Sequence, residues 1–216
     1  MKNPQMNVLY SDHDHIVVLK QAGIPTHGRS KSSLVHQVQQ DAPIYPVHRL
    51  DYGTRGPVMF AKNLETLHIL QRTWPLVCKT YHAWVAGSGL PDKGRCGMPL
   101  EGKLSRTDFQ NLGQRSWAIH GNATLLEWNL HSGRTHQIRR HASAMGHPII
   151  GDAVYGAPPL FTGQGLHLMC THLAWKHPVS GKDLSVTVSP AKKMRRAVAG
   201  AFRVAEESPF LRLFQG

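Results

Sequence analysis

The stretch HRLDYGTRG, residues 48–56, puts one carboxylate, Asp51, between two guanidinium groups, Arg49 and Arg55, and is closed by Gly53 and Gly56. Positive charge nearby favours the ionised carboxylate. An anionic oxygen can attack an electrophilic carbon, or stabilise positive charge that builds on a sugar ring. It would also repel phosphate, so a loop that only grips nucleic acid has no use for it. Asp51 therefore either takes part in a reaction or braces the loop from inside, and spacing alone does not separate the two.

The densest polar segment is HSGRTHQIRRHASAMGHPIIGDAVYG, residues 131–156. A glycine turn that opens a helix is a natural anion site. Arg134 lies in that turn, Thr135 is the expected cap of the helix HQIRRHASAM, and Gly146 is its expected stop. Arg139 and Arg140 are adjacent and so point to different faces. Ile138, Ala142 and Met145 mark a packed helix, which turns Arg139 inward toward a carboxylate. Arg140 is left for solvent or phosphate. His131, His136, His141 and His147 tempt a metal reading, but they stand five or six residues apart rather than at the H-x-x-x-H spacing of a helical metal pair. Structural hydrogen bonds or RNA contacts suit them better. No G-x-S-x-G elbow supports a serine nucleophile.

Strands and helices must position these groups. Val8–Tyr10 and Ile16–Leu19 read as strands around a polar turn, and PVMFAKN as a third. SKSSLVHQVQQ suits a short helix. Asn63 reads as the N-cap of a helix with Leu64, Leu67 and Leu70 at helical spacing. KTYHAWVAG alternates Tyr81, Ala83 and Val85 on one face, and ATLLEWNLHSG alternates Leu126, Trp128 and Leu130. LHLMCTHLAWKHP and DLSVTVSP read as two late strands, and AKKMRRAVAGAFRVAEE as a helix with one apolar face. The expected class is α+β, a mixed and mainly antiparallel sheet with flanking helices.

The totals agree with a nucleic-acid partner. The chain has 216 residues, 41% of them hydrophobic, which is enough for a core. Lys and Arg number 25 against 13 acids, a net charge of +12. That exceeds the magnitude of about 2–8 that keeps a small domain soluble, and it attracts polyanions. Three scattered cysteines with no C-x-x-C pair support neither a disulfide framework nor a cysteine zinc site. The N-terminus lacks the apolar stretch of a signal peptide, and no run approaches a membrane span. A reducing, cytoplasmic setting is expected.

Taken together, these segments resemble the RluA-type pseudouridine synthases. HRLDYGTRG is similar to the family's H-R-L-D-x-x-T-x-G motif, and KTYHAWVAG to its K-x-Y strand. SGRTHQIRRHASAMGHPIIGDAVYG is similar to its G-R-[ST]-H-Q-[IL]-R block followed by G-H-P-I-x-G-D. VLYSDHDHIVVLKQAG and LHLMCTHLAWKHPVSGK resemble its opening and its late strand and turn. The five match in order from about Val8 to about Pro190. The resemblance implies the pseudouridine synthase fold with a central catalytic cleft, and an enzyme that isomerises uridine in tRNA or rRNA without metal or cofactor. It implies catalytic roles for Asp51, Tyr81 and Arg139, with Tyr81 against the uracil and Arg139 paired to Asp51. Arg49 would hold the opened RNA, and Arg134 and His136 would brace the loop or touch RNA. Leu166 or Leu168 would floor the base pocket. Asp51 as nucleophile and Asp51 as proton acceptor at the sugar both remain open.

Arg55 and Pro57 depart from the family pattern, which more often has a small residue and an aliphatic one there. Arg55 would add a phosphate contact, as would Arg140. The expected organisation is one catalytic domain over 1–190 with a basic helical extension over 191–216, no separate N-terminal RNA-binding domain, no membrane and no obligatory protein partner, acting as a monomer. Three other readings compete: a catalytically silent RNA-binding protein on the same scaffold, a metal-dependent nuclease built on the histidines, and a purely structural basic protein. Loss of Asp51, Tyr81 or Arg139 would favour the first of these, and all three are present.

Overall fold

The apolar run HIVVLK forms β2 (His15–Lys20), buried along its whole length. A short continuous apolar run is the mark of a strand covered on both faces. β1 (Val8–Ser11) pairs antiparallel on one side of it and β4 (Gly56–Ala61) on the other, and β3 (Tyr45–Pro46) adds to β4. The computed structural model describes residues 6–28, 30–39, 43–117, 121–156, 165–191 and 194. These fall into two compact units, one up to Lys79 together with Cys170–Val188, the other Thr80–Met169 together with the chain from Ser189 onward.

The first unit carries the sheet β1-β2-β4-β3. It also holds α1 (Leu34–Val38), α2 (Leu64–Thr73) and a single 3₁₀ turn at Trp74–Leu76. Asn63 caps α2 as expected: its side chain accepts the Thr66 backbone N–H at 2.8 Å. Leu70 is the leucine of that helix that is fully buried, whereas Leu64 is exposed. β9 (Leu168–Lys176) and β10 (Asp183–Thr187) form an antiparallel hairpin whose Leu173, Trp175 and Val186 join Val17, Met59 and Leu70 in one core.

The second unit carries β5 (Cys78–Ala86), β8 (Gly121–Leu130), β7 (Thr107–Trp117) and β6 (Lys93–Cys96), all antiparallel, in the order β5-β8-β7-β6. Tyr81 pairs with Trp128 and Ala83 with Leu126, so the alternation read in the sequence does mark one face. The segment after α3 (Gln137–Ala144) returns along β5. Ile149 bridges Val85, the Ala86 N–H reaches the Pro148 carbonyl, and the Ile150 N–H reaches the Trp84 carbonyl. Gly146, at φ +78°, ends α3 as expected.

Its start differs from expectation. The helix begins one residue later than a Thr135 cap requires. His136 takes the cap position in the left-handed conformation, φ 55°, and its side chain makes no capping bond. The side chain of Gln137 instead ties the turn ahead of the helix, accepting the Arg134 N–H at 3.0 Å. The fold is α+β, with antiparallel sheets and few helices. No helix among the described residues is long and apolar enough to cross a membrane. The C-terminal extension lies outside the described residues except at Ala191 and Met194. Met194 is buried, and its carbonyl accepts the Trp84 indole N–H at 3.4 Å.

Candidate active site

In the first unit, Asp51 sits in a turn whose backbone is tied from several sides. The Thr54 N–H closes the turn on the Asp51 carbonyl at 3.0 Å. Buried Thr26 brackets the preceding residue: its hydroxyl donates to the Leu50 carbonyl at 2.9 Å and accepts the Leu50 N–H at 3.1 Å. The Tyr52 carbonyl accepts from the Gly23 N–H at 2.8 Å and from Lys20 Nζ at 3.2 Å. Lys20 ends the apolar strand β2 and has no exposed surface. Its second acceptor is the Gln21 carbonyl at 3.1 Å. Burial lowers the Lys20 pKa from 10.5 to about 8, and the charge of Asp51 opposes that shift.

The flanking arginines lie on the same loop. Arg49 is exposed, and its Nη1 donates to His27 Nε2 at 3.4 Å. Arg55 Nε donates to the Gln21 side-chain oxygen at 3.2 Å, while its carbonyl accepts the Cys170 N–H at 2.9 Å. Burial holds His48 down to about 3, so the ring is neutral. Its Nε2 accepts the Met59 N–H at 3.0 Å, and the ring stacks on Trp74 at 4.1 Å. His48 is thus a structural member of its motif, anchoring the loop to β4.

The second unit holds Tyr81, Arg139, Leu166 and Leu168, all buried. Arg139 points inward, as the packing of Ile138 and Ala142 requires. Its fork meets Asp152 with Nε to Oδ2 at 2.7 Å and Nη2 to Oδ1 at 2.8 Å, a bidentate pair. Asp152 is 1% exposed and also accepts the Val154 and Tyr155 N–H groups at 2.9 and 3.0 Å. Burial alone would raise its pKa, but the Arg139 hydrogen bond and the two backbone donors outweigh it and hold the carboxyl below its usual range. The Arg139 guanidinium lies over the Tyr155 ring at 5.0 Å, and the Tyr155 hydroxyl bonds His136 Nδ1 at 3.0 Å. Asp152 and Tyr155 received no role from the sequence. The signal for Asp152 was its place in the G-H-P-I-x-G-D block, for Tyr155 only its closeness to that block.

The turn before α3 is tied by the Gln137 side chain. Gln137 Oε1 accepts from Ser132 Oγ and the Arg134 N–H, and its Nε2 donates to the Arg106 carbonyl and Thr107 Oγ1, all within 2.8–3.0 Å. Arg134 reaches the Leu104 carbonyl with Nε and Nη2, and Arg140 pairs with Glu101 at 3.0 Å. The remaining histidines of this block make hydrogen bonds within the unit. Buried His141 bonds Thr107 Oγ1 and Ser105 Oγ at 2.9 Å each, His147 Nδ1 bonds the Ala86 carbonyl at 2.8 Å, and His131 pairs with Asp108 at 2.9 Å.

One cluster elsewhere has a metal-like composition. Ligand atoms of Asp12, His15 and His177 lie within 4.8 Å of one another. Their hydrogen bonds assign the tautomers. The Trp175 indole N–H donates to His15 Nε2 at 3.1 Å, and the Val179 and Ser180 N–H groups donate to His177 Nδ1 at 3.1 Å. Each ring then carries its proton on the nitrogen facing Asp12: His177 Nε2 bonds it at 2.9 Å, whereas His15 Nδ1 lies 3.2 Å from it without forming a hydrogen bond. A metal bound there would require two imidazolates or the loss of the three hydrogen bonds from Trp175, Val179 and Ser180. The donor set fits a carboxylate-centred brace between two turns, to which the Tyr10 hydroxyl adds a 2.6 Å bond.

These two sets of residues fall within, or close behind, a stretch shared with known proteins. The family described as RNA pseudouridylate synthase matches residues 14–144, which include Asp51, Tyr81 and Arg139. An RNA pseudouridine synthase of Mycobacterium bovis is 33% identical over 86% of this chain and 69% of its own length. The dual-specificity RNA pseudouridine synthase RluA of Vibrio vulnificus is 31% identical over 82% of this chain and 80% of its own. In fold, the chain is similar to the solved human RNA pseudouridylate synthase domain containing 1, with a TM-score of 0.74 over 87% of this chain and 84% of that one, at 22% identity. The chain belongs to the RluA-type family of RNA pseudouridine synthases, which are isomerases.

Proposed function

We propose that this chain converts uridine to pseudouridine in tRNA or rRNA with Asp51 as the catalytic carboxylate, acting on a uridine turned out of its stack. The observation that carries the reading is the setting of Asp51. It stands one residue before a carbonyl that buried Lys20 and Gly23 both hold, in the motif segment HRLDYGTRG. A base in a stack is out of reach of such a group, so the nucleotide must be extruded first. In the isomerisation the N1–C1′ bond breaks and a C5–C1′ bond forms, while the C5 proton leaves and N1 gains one. Asp51 supplies the anionic oxygen at the sugar.

Tyr81 would lie against the uracil and serve removal of the ring proton. Arg139 would pair with Asp51, with its fork pre-set by Asp152. Leu166 or Leu168 would floor the base, and Arg49, Arg55, Arg134, His136 and Arg140 would contact RNA. The reading takes residues 1–190 as the catalytic domain and 191–216 as an extension, in a cytoplasmic enzyme that works as a monomer without a protein partner. The test is to map pseudouridines in tRNA and rRNA from cells with and without the gene. At least one should vanish with the gene and return with the wild-type gene but not with Asp51→Asn. A site restored by Asp51→Asn removes the assignment of Asp51.

A further inference from the structure

Tyr52, immediately after Asp51, is 65% exposed. Among the described side chains it is the only phenylalanine, tyrosine or tryptophan in the exposed class. No core role accounts for such a ring. Its backbone is nonetheless fixed, because the Tyr52 carbonyl is the acceptor for both the Gly23 N–H and buried Lys20 Nζ. The ring is therefore a free aromatic face on a rigid mount. The same loop carries a cation three residues to either side of it: exposed Arg49, bonded to His27, and Arg55, bonded to Gln21. An aromatic face set among basic groups is the composition of a single-strand binding platform, where bases stack on rings and cations meet phosphates.

The chemistry gives that platform a task. When the target uridine leaves its stack, the base next to it loses a stacking partner, at a cost of a few kcal/mol. We propose that Tyr52 is the stacking platform for the base that neighbours the target uridine. The substrate segment is then unpaired on that side, and part of the extrusion cost is offset by the new stack. The position next to the target follows from the reading of Asp51 as the catalytic carboxylate. The ring itself and its cationic surround do not depend on it.

The experiment measures binding of a short fluorescein-labelled oligouridine to the full chain by anisotropy across a salt series, for wild type, Tyr52→Phe, Tyr52→Ala, Arg55→Ala and Asp51→Asn. Because the ring is exposed, the Tyr52 variants should melt like the wild type. Tyr52→Phe should bind as the wild type does. Tyr52→Ala should bind about 5- to 150-fold more weakly, the range for stacking one base on an aromatic side chain. The slope of log affinity against log salt should not change in Tyr52→Ala, and should fall by about 0.7 in Arg55→Ala, the amount for one phosphate contact on a single strand. Equal binding by Tyr52→Ala and wild type overturns the proposal. So do a Tyr52→Phe as weak as Tyr52→Ala, which would assign the effect to the hydroxyl, and a Tyr52→Ala with a reduced salt slope. Pseudouridine formation by Asp51→Asn on tRNA and rRNA is scored separately. Turnover retained there refutes the catalytic reading, whatever the ring does in binding.

Discussion

Removing the carboxylate of Asp152 should unfold the second unit at markedly lower temperature. Four donors converge on that group: Arg139 Nε on Oδ2, and Arg139 Nη2, the Val154 N–H and the Tyr155 N–H on Oδ1. Both members of the ion pair are buried. Breaking a buried pair from one side costs about 3–5 kcal/mol, and a chain of this length loses about 2–4 °C in melting temperature per kcal/mol. Asp152→Ala should therefore melt about 6–20 °C below wild type at pH 7. Asp152→Asn should be nearly as poor, despite its matching shape. With the amide oxygen at the three-donor position, its NH₂ faces Arg139 Nε, donor against donor, and flipping it exposes three donors instead of one. The folded carboxyl titrates below its usual value of 3.8, so its contribution is complete above about pH 4 and is lost as pH falls through the folded-state value. The gap between wild type and variant should hold from pH 5 to 8 and narrow in stronger acid. Unfolding followed by circular dichroism measures this. A variant within 1–2 °C of wild type at pH 7, or a gap that persists unchanged in acid, refutes the reasoning, the first margin being a fraction of the shift predicted above.

Lys20→Met tests the brace beneath Asp51. Folded Lys20 loses its proton as pH rises through about 8, so wild-type activity should decline there while the variant shows no such limb; identical profiles would remove Lys20 from the site. In stability the sign is opposite, because burial of the charge is unfavourable: the penalty is full below about pH 8 and relieved toward 10.5, so wild type should gain on Lys20→Met over that interval in urea unfolding. Gly151→Ala should cost about 2–5 kcal/mol by the same assay, since its φ is +77° and an added Cβ would stand 2.0 Å from the Gly165 carbonyl oxygen; a loss of a few tenths would contradict the close approach. Affinity for RNA should fall steeply with salt, because a net charge of +12 acts through phosphate contacts that release counterions; flat salt dependence would contradict that role.

Seven strands could be read from the sequence because each carries an unbroken apolar run or a strict alternation. β3, β6 and β7 could not, β3 because it is only Tyr45–Pro46. β6 is KGRC, with no apolar alternation to find. β7 is polar at most positions, and its register shifts between Asn111 and Gly113, so that Phe109 and Leu112 are both buried although three residues apart. A bulge of that kind erases the two-residue period on which strand reading rests. The start of α3 was misplaced for a related reason. A threonine before a helix is the ordinary cap, but here His136 takes the cap position in the left-handed conformation without a side-chain capping bond, and the Gln137 side chain ties the turn before it.

The candidate site was legible where a motif stands in one segment and hidden where a side chain's setting depends on a partner brought in by folding. Asp51 stood out for its charge among arginines, and the inward turn of Arg139 followed from its apolar neighbours. Neither observation identifies what holds these groups. Lys20 looks like the polar end of an apolar strand, yet it is buried and bonded to the carbonyl after Asp51. Asp152 looks like an acid in a glycine turn, yet it fixes the Arg139 fork from 13 residues away. Asp51 and Arg139 thus each have a buried charge of opposite sign within their own compact unit: Lys20, bonded to the Tyr52 carbonyl, near Asp51, and Asp152, paired directly with Arg139. A lone buried ion is costly, and these two are tolerated because backbone groups complete their coordination: two carbonyls for Lys20, two N–H groups for Asp152. The arrangement exchanges stability for position. Under the function proposed above, Asp51 and Arg139 would each have to keep one geometry toward the substrate, and that is the exchange expected of them.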